Sequence, residues 1–129
     1  MKNTLLIIFT LLSFSTFAHE GHNQTPGSVK SKHGGVVTLG KQVNLEVLIN
    51  GTNVTLYPLT HESADLKASD VKITATAKPR KGSSYPVTFK AEKLGFTADV
   101  DLKGSNRVEL EINVEQAGKS DKFKVQVEQ

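Results

Sequence analysis

Val43-Asn44-Leu45-Glu46-Val47-Leu48-Ile49-Asn50-Gly51-Thr52-Asn53-Val54-Thr55-Leu56 is the stretch on which the fold of this chain turns. Successive side chains of an extended strand alternate between faces, so Val43, Leu45, Val47 and Ile49 share one side and Asn44 and Glu46 the other. The spacing predicts a strand with one buried and one solvated face. Asn50-Gly51 follows at once, a pair that favours the backbone of a tight hairpin, and Val54 and Leu56 resume the alternation. Pro58 then interrupts it, because proline has no N–H to give to a ladder.

Outward from this hairpin the same period recurs. Val71, Ile73, Ala75 and Ala77 make one set, Val87, Phe89 and Ala91 a second, and Phe96, Ala98, Val100 and Leu102 a third. Val108, Leu110, Ile112 and Val114 follow, and Phe123, Val125 and Val127 close the series. Gly- and Pro-bearing turns separate these runs at residues 78–84, 103–106 and 117–120. Seven or eight short strands without helical periodicity predict an all-β fold, an antiparallel β-sandwich of immunoglobulin-like architecture. Folding 96–102 against 108–114 around Ser105 sets Asp101 opposite Glu109 and Asp99 opposite Glu111, with Lys122 beside Glu115 and Lys124 beside Asn113 on the following strand. Like charges directly opposed are unfavourable, so this face is expected to draw counter-charges from lysines; a docking surface for a basic partner or a weak hard-cation site is the sharper reading.

Composition narrows the function. The 129 residues carry a net charge of +3, too small an excess for a dedicated nucleic-acid binder. Cysteine is absent and Met1 is the single methionine, which excludes disulfides, thiolate catalysis, Fe–S clusters and a Met-rich Cu(I) site. Residues 1–18 begin with Lys2, run through an apolar stretch and end in Thr16-Phe17-Ala18, the pattern of a secretory signal peptide cleaved after Ala18. The stretch is too short to span a bilayer, so no stable membrane insertion is expected after cleavage, and a periplasmic location follows for a Gram-negative source. Residues 19–32 are polar and small apart from Val29 and read as a flexible His-containing arm. Residues 33–129 form the sandwich domain.

Four histidines carry the functional signal. Cleavage after Ala18 exposes the α-amine of His19 beside its imidazole, with His22 three positions on, and such donors suit Zn(II), Cu(II) or Ni(II). His33 stands where the arm enters the first strand, and His61-Glu62 where the third strand ends. In a small sandwich strand ends gather at two poles, so His33 and His61 are candidate fixed ligands, Glu62 or Asp65 an oxygen ligand, and His22 or the His19 terminus the closing donor. The bland alternative makes all four solvent-exposed and incidental. No Ser/His/Asp arrangement or paired catalytic carboxylates are recognisable, so no enzyme is expected.

The leader, the His-rich arm, the entry His33-Gly34-Gly35-Val36-Val37, the hairpin at Asn50-Gly51 and the run Leu56-Tyr57-Pro58-Leu59-Thr60-His61 together resemble the small periplasmic His-Gly-Gly β-domains associated with heavy-metal RND efflux adaptor (membrane fusion) proteins. That resemblance implies handling of Cu, Ag, Zn, Co or Ni ions near an efflux system, with a periplasmic efflux adaptor protein as partner. A second likeness, to periplasmic copper carriers whose mature chain begins with histidine, rests on His19 alone. The expectation is a periplasmic, non-enzymatic protein that binds a divalent transition metal and buffers it or hands it over. The alternative is an envelope protein–protein interaction module with incidental histidines.

Overall fold

The computed structural model describes residues 29–129 and places them in nine strands. These are β1 (Val36–Leu39), β2 (Asn44–Asn50), β3 (Asn53–Leu59), β4 (Val71–Pro79), β5 (Tyr85–Val87), β6 (Lys90–Ala91), β7 (Phe96–Asp99), β8 (Arg107–Gln116) and β9 (Lys119–Glu128). They form two antiparallel sheets, ordered β1-β2-β3-β7-β6 and β5-β4-β8-β9. The sheets pack as a sandwich around a core in which Leu45, Leu56, Ala77, Leu110, Ile112 and Val127 are wholly buried. The all-β sandwich is therefore the fold that the period-two pattern predicts, and the alternating positions supply nearly all of its core.

Strand partners differ from expectation more than strand positions do. Residues 85–91 do not make one strand: the chain leaves the second sheet after Val87 and enters the first at Lys90, which raises the strand number from seven or eight to nine. Pro58 does not end β3 either, for the strand runs on to Leu59 with Pro58 opposite Leu45. The carbonyl of Pro58 accepts from the N–H of Leu66, and in an antiparallel ladder a residue's carbonyl and nitrogen point the same way. The missing N–H thus faces away from β2, beyond Leu56 where the pairing with β7 has stopped.

The expected hairpin around Ser105 is absent. β7 pairs with β3 and β6, whereas β8 pairs with β4 and β9, so residues 100–106 cross between sheets and Asp99 lies opposite Asn53. Glu109 faces Lys78 and Gln126, and Glu111 faces Thr76 and Lys124. The like-charge pairs never form; Glu111 instead takes Lys78 at 3.1 Å and Lys122 at 3.4 Å. These two lysines hold its carboxyl below the ordinary carboxylate range.

The register of β8 with β9 is also tighter than expected. Gln116 pairs with Lys119, which leaves Ala117-Gly118 as a two-residue loop and sets Asn113 beside Lys122. Both loop residues have positive φ, 51° at Ala117 and 76° at Gly118, the requirement of a type I′ turn. Alanine is costly in that region, where asparagine is tolerated. Ala117→Asn is expected to stabilise the fold by about 0.5–1 kcal/mol, read as a higher midpoint in urea unfolding with an unchanged slope.

Candidate functional site

Glu46 was expected on a solvated face, yet it is wholly buried, as is Asn44 beside it. The chain entering β1 covers it. The Glu46 carboxylate accepts from the Ser31 hydroxyl at 2.9 Å and from the backbone N–H groups of Lys32, His33 and Gly35 at 3.1, 2.7 and 2.9 Å. Ser31 in turn accepts from Gly34 N–H at 2.8 Å. Burial raises the Glu46 carboxyl, but the Gly35 and His33 N–H groups, the Ser31 hydroxyl and the Lys32 N–H more than reverse this and leave it below the ordinary range. The His-Gly-Gly entry has a backbone reason too. Gly34 sits at φ 85°, and a Cβ on Gly35 would lie 2.4 Å from the Val47 carbonyl oxygen. The folded body therefore includes Ser31 and Lys32, two positions that composition assigned to the arm.

This wrap fixes His33. Its ring stacks on Tyr57 of β3 at 3.9 Å between centroids and 15° between planes, and its Nε2 lies 2.7 Å from Asp65 Oδ1. Lys32 Nζ reaches the other oxygen of Asp65 at 2.9 Å. Burial raises the Asp65 carboxyl, while Lys32 and His33 lower it further than burial raises it, so Asp65 stays ionised and Nε2 must donate. In the neutral ring this leaves the lone pair on Nδ1. Asp65 is delivered by the loop after β3. Thr60 N–H bonds the Ala64 carbonyl at 2.8 Å, Ser63 takes φ 65°, and Asp65 bridges back to Leu59.

His61 lies in the same loop as Asp65, but the two described histidines engage different partners. His61 is exposed and its Nε2 stands 3.2 Å from the Lys41 carbonyl. Glu62 is exposed beside it. Among the described residues no three His, Asp or Glu side chains come close enough to share a metal ion. Of the proposed donors the fold thus joins His33 with Asp65, and does not bring His61 and Glu62 into a common cluster with them. His19 and His22 lie outside the described residues.

A second buried carboxylate, missed in the sequence, holds the other end of β1. Asp121 of β9 accepts from the N–H groups of Lys41, Gln42 and Val43 at 3.2, 2.7 and 2.9 Å. Burial raises this carboxyl, and the Val43, Gln42 and Lys41 N–H groups, with the nearby His61, bring it below its usual value. A Cβ on Gly40 would lie 2.6 Å from Asp121 Oδ2, so glycine is required there as well. One signal was available: Asp121 has the same parity as Phe123, Val125 and Val127, an acid at an inward-facing position.

No protein-family model matches the sequence, and no curated protein does. Among solved structures, the chain is similar to the crystal structure of a DUF4426 family protein from Pseudomonas aeruginosa, at a TM-score of 0.54 and 14% identity, over 72% of this chain and 94% of that one. At this identity the likeness establishes the β-sandwich fold and nothing about activity.

Removing a buried carboxylate leaves several N–H donors unpaired. Glu46→Ala is expected to cost about 3 kcal/mol or more. A group whose folded pKa is depressed stabilises the fold fully above its unfolded value, and that contribution fades as pH falls through the folded value. Urea midpoints should therefore decline below about pH 4, and Glu46→Gln combined with Asp121→Asn should flatten that decline while lowering stability at pH 7.

Proposed function

We propose that this protein is a periplasmic, non-enzymatic binder of a divalent transition metal ion, Zn(II), Cu(II) or Ni(II), that buffers the ion or hands it over near an efflux system. The observation that supports this reading is the His33–Asp65 pair. A metal-binding imidazole commonly donates its other ring N–H to a carboxylate, which orients the ring and raises its basicity. Asp65 occupies that role at 2.7 Å, and the stack on Tyr57 restrains the ring further.

The described fold offers one imidazole in this arrangement, so the remaining donors must come from the arm. His22 is separated from His33 by about ten residues, each spanning roughly 3.3–3.6 Å when extended, enough for His22 or the His19 terminus to close over His33. Such a site, one fixed ligand plus ligands from a tethered arm, exchanges its ion more readily than a closed tetrahedral site, which suits buffering and transfer.

Calorimetric titration of the processed chain with Zn(II), Cu(II) and Ni(II) tests this. His33→Ala and the double variant His19→Ala/His22→Ala should each lose most of the affinity, and Asp65→Asn should lose about tenfold or more while its amide spectrum stays folded. Equal affinities across all four chains, or no binding by any of them, would contradict it.

A further inference from the structure

The first sheet ends at β1 and the second at β9, and these edges lie on the same side of the sandwich, where Asp121 of β9 grips the residues that follow β1. Val36 lies opposite Val47 and Thr38 opposite Leu45. Directly opposed residues point to one face, so Val36 and Thr38 belong to the core-facing side of their sheet. Leu45 and Val47 are buried, yet Val36 is 73% exposed. The inner face of β1 thus overhangs the opposite sheet. A shallow groove opens beneath it, lined by Val36, Thr38 and Ile49 on one wall and by Lys124, Val125 and Gln126 of β9 on the other.

β9 borders this groove with an unused backbone edge. The two-residue turn makes Gln116 and Lys119 a hydrogen-bonded pair, so the alternate residues Lys122, Lys124 and Gln126 turn their N–H and C=O groups away from β8. Such a row is a template for one more strand. Lys122 and Lys124 project on the outer face next to it; Lys122 also reaches Glu111 at 3.4 Å, and among the described residues Lys124 has no ion-pair partner.

The occupants nearest to hand fit poorly. In the two antiparallel registers that overlap β9 most fully with the β9 of a second copy, Lys124 meets Lys122 or Lys124, which like-charge repulsion opposes. Residues 19–28 of the chain itself offer no apolar side chain larger than Pro26 to fill the groove.

We propose that the β9 edge and the overhanging β1 accept an extended segment of a partner protein in which apolar and acidic residues alternate. Its backbone pairs with β9, its apolar side chains fill the groove against Val36, Ile49 and Val125, and its carboxylates meet Lys122 and Lys124 on the outer face. This surface is independent of the metal reading.

The probe is a capped peptide of alternating Val and Glu, titrated into the ¹⁵N-labelled processed chain. The expected result is shifts confined to Val36, Thr38 and residues 122–126, with slowed amide exchange at Lys122, Lys124 and Gln126. A Val/Lys peptide should bind about tenfold more weakly, Lys122→Glu/Lys124→Glu should reverse that preference, and Lys124→Pro, which removes only an outward N–H, should abolish binding with the spectrum still folded. The proposal is overturned by absence of binding, by shifts elsewhere, or by charge reversal without effect. Edge amides already protected in the free monomer would assign the groove to the chain's own arm, and a concentration-dependent dimer broken by Lys124→Pro would assign it to a second copy; either result also overturns it.

Discussion

A buried carboxylate must be surrounded by donors, and two of them decide how this sandwich begins. Glu46 and Asp121 come from opposite sheets, and each collects backbone N–H groups from a segment flanking β1. β1 is an edge strand of four residues with Val36 and Leu39 largely exposed, so its own burial contributes little. Hydrogen bonds to a charged group add about 1.5–3 kcal/mol each, against a desolvation cost of several kcal/mol for the carboxylate. The net gain is modest. The cost of leaving either the carboxylate or its donors alone is much larger, and that asymmetry pins the chain at both ends of β1.

The candidate site depends on the same constraint. His33 lies inside the segment that wraps Glu46, so the carboxylate that holds the backbone also sets where the imidazole can stand. From there the ring reaches Tyr57 and Asp65 without further adjustment. His61 relates to Asp121 in a looser way, through the Lys41 carbonyl, and its exposed ring has no comparable restraint. One histidine is positioned by the fold and the other is left at the surface.

Faces were legible in the sequence; partners were not. Period-two alternation marks which side of a strand is buried, and it located Val43, Leu45, Val54, Leu56, Leu110 and Ile112 correctly. It carries no information on which sheet a strand joins, so a hairpin was expected between β7 and β8 where the chain crosses the sandwich. Glu46 was unreadable for a related reason. Its position is solvated by parity, and only a non-local segment folding over it makes it buried. Asp121 shares the parity of the inward-facing Phe123 and Val127 and was readable in principle, as an acid at a core position. His33 and Asp65 stand out as metal-ligand residue types, but their pairing depends on the loop at residues 60–65, whose turn at Ser63 has positive φ in a non-glycine residue.

The proposed metal site requires His33 to be an oriented imidazole whose Nδ1 is open to an ion. Long-range ¹H–¹⁵N correlation of the histidine ring nitrogens tests it most directly. An oriented ring predicts a proton on Nε2 of His33, facing Asp65, and an Nδ1 resonance that moves on addition of one equivalent of Zn(II). A ring protonated on Nδ1, or an Nδ1 resonance unmoved by the ion, would contradict it.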